Sequence, residues 1–483
     1  MRTHEDRIPP GIRLGVVRGI SYGLLGEPEV FLPQVRALGA GTVRIFLFWS
    51  QIEPEPGRYD WTAVDHFLAQ LGADVEAWVT LCSSSHWATI RSTDFLPPSP
   101  AKDPAVFGDF VRKVVTRCAG RVTYWQCDNE PSVPILFAGT PAEYVTQLKA
   151  FTAAVRESDP AALVVLGGAP PGAANGDDKA VFQYILENAE DDFDVFDVHF
   201  YGSAYEIPDA VQSCRDLMAA AGYQKPIVAG EYGGPVPFEF PAAFGHLAPV
   251  IEASGGMVGG GLPADWTNQT TDLDRRRPEH DALVALYARV DDLSPEVQMF
   301  VPDCPPAAAA LLDRLHSRDV VIRNLFALAA GVRRTLCWNL GPETPDLPVT
   351  YEVMGFLFDR LRLMDYQDGE LTHRYPAADT LELTAWMLRD ATAVRRREVP
   401  DQPDLFVFEV ERPDRQPLLV AWVRRPAVTG EDSPPVDFQW PWPAESAYGI
   451  DAHGKPLSPQ VDHDRIHFPL TVVPVFLSAN PVD

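Results

Sequence analysis

Basic residues and cysteines are scarce in this sequence, and their scarcity excludes several classes of protein. The 483-residue chain holds 40 Lys and Arg against 67 Asp and Glu, a formal net charge of −27. Because no basic stripe offsets that charge, we expect neither a nucleic-acid partner nor an anionic membrane surface. The six cysteines have no C-x-x-C spacing, so they indicate neither a zinc site nor a disulfide framework. We therefore expect buried thiols in a reducing compartment.

Long apolar runs are also missing. No stretch approaches about 18 uninterrupted apolar residues, so the sequence predicts no membrane span. The first residues contain no apolar run of signal-peptide length, and the default expectation is a cytoplasmic protein. The 46 prolines are scattered without a period, which excludes collagen and polyproline stalks. With 46% hydrophobic and 22% charged residues, the chain has the composition of a globular protein with a large core.

Short apolar runs alternate with amphipathic stretches over most of the chain. Most of these runs are followed by a helical pattern, and the clearest helix start is Thr140-Pro141, a cap residue followed by proline at the first helical position. Strands that alternate with helices indicate a parallel sheet, and eight such units indicate an α/β protein with a closed (β/α)8 TIM barrel. A Rossmann sheet is disfavoured, because no G-x-G-x-x-G follows the first run. The eight runs are 12–17, 42–48, 75–81, 122–126, 163–166, 193–200, 226–230 and 334–340.

Two domains are predicted from this organisation. Residues 1–393 would form the barrel, and residues 394–483, with short strand-like runs between Pro, Gly and Asp turns, would form a small antiparallel β-sandwich. Between the seventh run and its helix lies an insertion, 232–303, far longer than a usual βα connection. We expect it, with its Gly-rich patch at 254–263, to be a long loop on the C-terminal face of the barrel. A second long loop is expected over 341–375.

Chemistry in a barrel comes from the C-terminal ends of its strands. Glu130 follows the fourth run and Glu231 follows the seventh. Acetal cleavage needs two carboxylates, because one protonates the leaving oxygen and the other attacks carbon or activates water. Polar and aromatic residues at strand ends complete a candidate set for substrate binding: Arg44, His86, Asn129, His199, Tyr201 and Trp338.

The segments around both glutamates resemble motifs of a known clan. WQCDNEPS resembles the acid/base motif of glycoside hydrolase clan A, and VAGEYGG resembles its nucleophile motif. FWSQIEPEPGRYDWTAVDHFL is similar to the loop and helix after the second strand in that clan. The eight candidate residues together are similar to the active site of glycoside hydrolase family 5, whereas the C-terminal sandwich is more like family 39. The long segment after Glu231 departs from the common pattern, so substrate subsites are not carried over.

This resemblance implies a retaining glycosidase that acts on a β-linked glycoside and needs no cofactor or metal. Glu130 would be the general acid/base, and Glu231 would be the nucleophile, kept ionised by Arg44 and a hydrogen bond from Tyr201. Asn129 would hold the sugar 2-hydroxyl. The remaining candidates would bind Glu130 or the substrate, with Trp338 as the platform under the reacting sugar.

Two other hypotheses stay open beside the glycosidase. The same barrel suits a non-catalytic carbohydrate-binding protein, because fold does not determine function. A metal-dependent barrel hydrolase is disfavoured, because no His-x-His follows the first run and no carboxylate–histidine cluster fits a metal. The expected partner is a carbohydrate, an oligosaccharide or glycoside, whose sugar and linkage depend on the loops. The oligomeric state stays open.

Overall fold

Eight parallel strands form the central sheet of the protein. The computed structural model describes residues 2–3, 6–24, 27–171, 173, 176, 178–253, 273–342, 352–367, 370–413 and 418–481; the Gly-rich patch at 254–263 lies outside them. In chain order the strands are β1 (Arg13–Val17), β2 (Thr42–Phe48), β3 (Glu76–Cys82), β4 (Tyr124–Cys127), β5 (Leu163–Val165), β6 (Phe196–Phe200), β7 (Ile227–Tyr232) and β8 (Arg334–Cys337).

The sheet closes into a barrel. Its hydrogen-bonded order is β5-β4-β3-β2-β1-β8-β7-β6. Parallel bridges from Val165 to Val195 and from Ala169 to Val198 join the two outer strands. Every residue of β2, β3 and β4 is buried, as expected for strands covered outside by helices and filled inside by side chains. The predicted (β/α)8 barrel is confirmed.

Helices surround the barrel. The helix at Pro141–Ser158 begins with the capping box that its sequence favours, since Thr140 Oγ1 accepts from the Glu143 amide at 3.2 Å and the Glu143 carboxylate accepts from the Thr140 amide at 2.8 Å. Among the described residues, no helix combines the length and the apolar character needed to cross a bilayer. The helices are α1 (Leu32–Ala37), α2 (Trp49–Ile52), α3 (Thr62–Gln70), α4 (Pro104–Cys118), α5 (Pro141–Ser158), α6 (Lys179–Asn188), α7 (Ile207–Ala220), α8 (Pro241–Ala253), α9 (Leu273–Tyr287), α10 (Pro295–Gln298), α11 (Pro306–Ala329), α12 (Glu352–Phe358) and α13 (Pro376–Met387).

Both long loops expected from the sequence contain regular structure, so that expectation is wrong where the chain is described. The insertion at 232–303 carries α8, α9 and α10. Pro249 and Pro278 lie inside α8 and α9, and proline normally interrupts a helix. Packing overrides that local preference, because Leu247 and Val250 of α8 are buried in one apolar cluster with Phe300. The segment 341–375 carries α12 and an antiparallel hairpin of β9 (Met364–Gln367) and β10 (Glu370–Arg374).

Two antiparallel sheets follow the barrel, so the predicted β-sandwich is confirmed as a fold. The strands are β11 (Ala393–Arg397), β12 (Leu405–Glu411), β13 (Leu418–Val423), β14 (Val436–Pro441), β15 (Tyr448–Asp451), β16 (Pro456–Leu457), β17 (Gln460–Asp462), β18 (Arg465–Leu470) and β19 (Val475–Ser478). One sheet has the order β11-β12-β13-β19-β15-β16 and the other β14-β18-β17. Leu419 and Leu477 of the larger sheet pack with Phe438 and Ile466 of the smaller one.

Candidate active site

Glu130 and Glu231 converge over the C-terminal end of the barrel. Glu130 follows β4, and Glu231 is the penultimate residue of β7. One carboxylate oxygen of each and one ring nitrogen of His199 all lie within 4.8 Å of one another. Both glutamates are almost fully buried, with 9% and 4% of their surface exposed. Two neighbouring buried carboxyl groups repel each other when both are ionised, unless basic groups balance their charge.

A tight turn presents Glu130. Both Asp128 and Glu130 have left-handed backbone conformations, with φ of 53° and 40°. The buried carboxylate of Asp128 holds this turn from behind, accepting hydrogen bonds from the Ser83 amide at 2.7 Å and from Gln147 Nε2 at 2.7 Å. Burial raises the pKa of Asp128 to about 7, against the lowering effect of those hydrogen bonds. The turn therefore depends on a carboxyl group that no solvent reaches.

Glu231 is held by two donors. Arg44 Nη1 donates to Oε1 at 2.8 Å, and the Tyr201 hydroxyl donates to Oε2 at 2.8 Å. Burial raises the pKa of Glu231, whereas the charges of His199 and Arg44 lower it. The carboxylate is thus fixed in orientation and has charged partners on both sides.

Arg44 links the strands beneath the pocket. Its side chain is fully buried on β2. Besides Glu231, it donates from Nη2 to Gln126 Oε1 at 2.6 Å and to Asn129 Oδ1 at 2.7 Å. Its Nε donates to Thr80 Oγ1 at 2.9 Å. Because the Asn129 oxygen accepts from the guanidinium, the Asn129 amide group is oriented as a donor.

His199 connects the two glutamates. Its Nδ1 lies 2.5 Å from Glu130 Oε1 and 3.6 Å from Glu231 Oε2. Burial by itself lowers the pKa of His199, but the nearby carboxylates of Glu231 and Asp197 raise it to about 10. These carboxylates therefore favour the charged form of the imidazole.

The structure brings six of the eight sequence-predicted residues into one hydrogen-bonded group, whereas Trp338 contacts Phe46 and His86 is paired with Asp94. Trp338 is half-buried after β8, linked to Phe46 by an edge-to-face ring contact of 6.4 Å. Its peptide bond to Asn339 is cis. His86 is exposed at the rim, where its Nδ1 lies 2.7 Å from Asp94 Oδ1. Within the described residues no hydrogen bond joins His86 to the other seven.

Asp197 and Gln126 belong to the same network but were not among the predicted site residues. Both are fully buried. Gln126 Nε2 donates to Asp197 Oδ2 at 2.8 Å, and the same oxygen lies 3.2 Å from His199 Nε2. Alternation along β6 was a usable signal, because residues two apart on a strand share a face. Asp197, His199 and Tyr201 follow that spacing.

The donor set at this site suits a proton better than a metal ion. Contrary to the expectation from sequence, a carboxylate–histidine cluster of metal-binding type does form, from Glu130, His199 and Glu231. A metal ligand must offer a neutral imidazole nitrogen. His199 Nδ1 is instead hydrogen-bonded to Glu130 Oε1 at 2.5 Å, and the two Glu231 oxygens already accept hydrogen bonds from Arg44 and Tyr201.

Solved structures similar to this chain have the same fold, although comparisons of its sequence find no match. No protein-family model matches the chain, and no curated protein is significantly similar to it. Among solved structures, a family 39 glycoside hydrolase from Bacteroides cellulosilyticus WH2 is 13% identical, covers 99% of this chain and 82% of its own, and has a TM-score of 0.60. A glucosidase from Croceicoccus marinus is 12% identical over 99% of this chain and 98% of its own, with a TM-score of 0.58.

A third structure extends the likeness to another family. The family 51 α-L-arabinofuranosidase of Bifidobacterium longum is 11% identical over 99% of this chain and 98% of its own, with a TM-score of 0.54. Identities this low show shared architecture only. The fold of this chain is therefore that of glycoside hydrolases built on a (β/α)8 barrel, in agreement with the clan A resemblance of its motifs.

Proposed function

We propose that this protein is a retaining glycoside hydrolase that cleaves a β-linked glycoside through a covalent intermediate. The observation that carries the proposal is the spacing of the two carboxyl groups, whose nearest oxygens lie within 4.8 Å. Retaining enzymes keep their carboxyl groups about 5–5.5 Å apart, whereas inverting enzymes leave about 6.5–9.5 Å for a water molecule. The short spacing favours retention.

The first half of the reaction uses Glu231 as the nucleophile. A carboxylate oxygen of Glu231 forms a bond to the anomeric carbon while the glycosidic C–O bond breaks. Glu130 gives its proton to the departing oxygen. Arg44 and Tyr201 support this role, because they hold the carboxylate of Glu231 in one orientation.

In the second half, Glu130 acts as a base. It removes a proton from water, whose oxygen attacks the anomeric carbon and releases Glu231. Both displacements invert the carbon, so the product keeps the original configuration. The oriented amide of Asn129 supports a hydrogen bond to the sugar 2-hydroxyl, and the half-buried ring of Trp338 supports stacking on a pyranose. The substrate class is a carbohydrate, either an oligosaccharide or a glycoside.

A screen of aryl β-glycosides and β-glycans with matched variants tests this proposal. We expect Glu231→Gln to lower kcat by about 10⁶-fold, as removal of a covalent nucleophile does. The matched control is Glu187→Gln. Glu187 is exposed on α6, where its carboxylate accepts a hydrogen bond from Gln183. Full activity of Glu231→Gln would reject the proposal. Oligosaccharide binding by wild type without turnover would favour the carbohydrate-binding alternative.

A further inference from the structure

The side chain of Asp197 faces hydrogen-bond donors at both of its oxygens. Its side chain is fully buried on β6. Oδ1 accepts from the Gly230 amide at 2.5 Å, and Oδ2 accepts from Gln126 Nε2 at 2.8 Å. Oδ2 can accept a second hydrogen bond, and His199 Nε2 lies 3.2 Å from it. Since a carboxylate only accepts hydrogen bonds, the histidine must supply the proton of this contact.

Gln126 cannot turn to give Asp197 a different partner. Its Oε1 accepts from Arg44 Nη2 at 2.6 Å and from Thr80 Oγ1 at 2.8 Å. Its Nε2 also donates to the Leu166 carbonyl at 3.0 Å. An amide flip would place the NH2 group against the guanidinium, so Nε2 must face Asp197. The sequence provides space for this contact through Gly230, where a Cβ atom would lie 2.4 Å from Asp197 Oδ2.

The other ring nitrogen of His199 also faces carboxylates. Nδ1 lies 2.5 Å from Glu130 Oε1 and 3.6 Å from Glu231 Oε2. A neutral imidazole has a proton on only one nitrogen, so one of the two would meet a carboxylate with its lone pair. With both nitrogens protonated, every contact pairs a donor with an acceptor.

We propose that Asp197 is a positioning residue that keeps His199 in the imidazolium form, so that Nδ1 donates to Oε1 of Glu130 throughout the reaction. This inference rests on the proposed function for its catalytic meaning but not for the charge state itself. It has a geometric consequence. Because Oε1 of Glu130 is occupied by the histidine donor, the proton delivered to the leaving group is carried on Oε2.

The charges around the site agree with this assignment. Carboxyl groups come from three strands or strand ends, Glu130, Asp197 and Glu231, and they face two bases, Arg44 and His199. With His199 protonated and all three carboxyl groups ionised, one negative charge is left over. A further proton on Glu130 makes the group neutral. That neutral group contains the protonated acid that the first step of a retaining reaction requires.

Titration of His199 by NMR tests the inference without any substrate. The protein has 11 histidines, so the His199 signal is assigned in ¹³C,¹⁵N-histidine-labelled protein by its loss in His199→Gln. We expect wild-type His199 to carry protons on both nitrogens at pH 7 and to titrate near pH 10. In Asp197→Asn the midpoint should fall by about 2 units. The alkaline limb of kcat/KM should move the same way.

Asp159→Asn is the matched control, because Asp159 is another buried carboxyl group, and it accepts from the Gly120 amide after α4 at 2.9 Å rather than from His199. It should leave the His199 midpoint unchanged. The inference is overturned if wild-type His199 is neutral at pH 7 or if Asp197→Asn titrates like wild type. The wild-type measurement alone decides if Asp197→Asn does not fold. Failure of the glycosidase proposal would instead show in the Glu231→Gln comparison.

Discussion

At the scale of single residues, Arg44 holds together more side chains of the site than Tyr201 or His199 does. It is a fully buried cation with acceptors on four other side chains: Glu231, Gln126, Asn129 and Thr80. A lone arginine stands out within an apolar strand, so the sequence predicts that Arg44 belongs to the site. Its partners were predicted only in part, because strand-end motifs point to Glu231 and Asn129 but not to side chains deeper in the barrel.

We expect Arg44→Met to destabilise the protein by about 3–5 kcal/mol, because it leaves the buried carboxylate of Glu231 without its cation. Activity should fall with it. Urea denaturation measures the stability change. Arg36→Met is the control, because Arg36 forms an exposed pair with Asp74 and such pairs contribute about 0–1 kcal/mol. Equal losses in the two variants would contradict the account of Arg44.

His199 gives a pH prediction whose sign follows from its raised pKa. The pKa rises from 6.5 to about 10 on folding, so the folded state holds this proton more tightly than the unfolded state. Its contribution to stability is complete below pH 6.5 and is lost as the pH rises through 10. We expect the melting temperature of wild type to fall between those limits. The melting temperature of His199→Gln should lack this part of the decline. Parallel plots of melting temperature against pH for the two proteins would contradict a raised pKa for His199.

The pKa of Asp128 is also raised on folding, but it lies in a lower pH range than that of His199. Its pKa rises from 3.8 to about 7, so stability contributed by its proton is complete below pH 3.8 and is lost as the pH rises through 7. Thermal melts of wild type and Asp128→Asn across that interval measure the effect. We expect the difference in melting temperature between the two proteins to change with pH there. A constant offset would contradict a raised pKa for Asp128.

At the scale of elements, the sequence predicts the barrel strands well and the helices of the insertion poorly. β2 has the bounds of the second apolar run, and α5 begins at the predicted Thr140-Pro141, because buried strands and helix caps leave strong local signals. In α8 and α9, by contrast, Pro249 and Pro278 suppress the local signal. Those helices depend on tertiary packing, which a sequence pattern does not contain.

The approach of β5 to β6 yields a prediction at this scale. A Cβ atom at Gly168, just after β5, would lie 2.1 Å from His199 Nε2. We expect Gly168→Ala to displace the imidazole from Asp197 and Glu130, lower activity, and cost about 1–3 kcal/mol. Gly245→Ala is the control, because Gly245 lies in α8 and an added Cβ meets nothing within 4 Å. Unchanged activity of Gly168→Ala would show that the close contact is unimportant.

At the scale of the whole molecule, the β-sandwich is packed against the barrel rather than tethered to it. Trp422 on β13 stacks on Phe406 and Phe408 and meets Phe326 of α11 edge-on. Its Nε1 donates to the Tyr205 hydroxyl at 3.0 Å. The larger sheet therefore has two buried faces, one toward the smaller sheet and one toward the barrel helices. The near-continuous apolar runs of β12 and β13 reflect both faces.

We expect Trp422→Ala to lower the free energy of unfolding by about 3–5 kcal/mol, because it leaves a cavity between the barrel and the sandwich. Calorimetry of the whole chain measures the change and shows whether the two parts still melt together. Tyr448→Ala serves as the control, since Tyr448 is 40% exposed on β15 and surface changes shift stability by only about 0.5 kcal/mol. A small effect of Trp422→Ala would contradict close packing between the two parts.

The central claim is that Glu231 forms a covalent bond to the sugar, and direct trapping tests it. The protein is incubated with an activated 2-deoxy-2-fluoro-β-glycoside of whichever sugar the substrate screen identifies. The fluorine slows release of the intermediate, so the intact mass should rise by one fluoroglycosyl unit. Peptide mapping should place that unit on Glu231. A label on another residue, or turnover of the parent glycoside with inverted configuration and no label, would contradict the account.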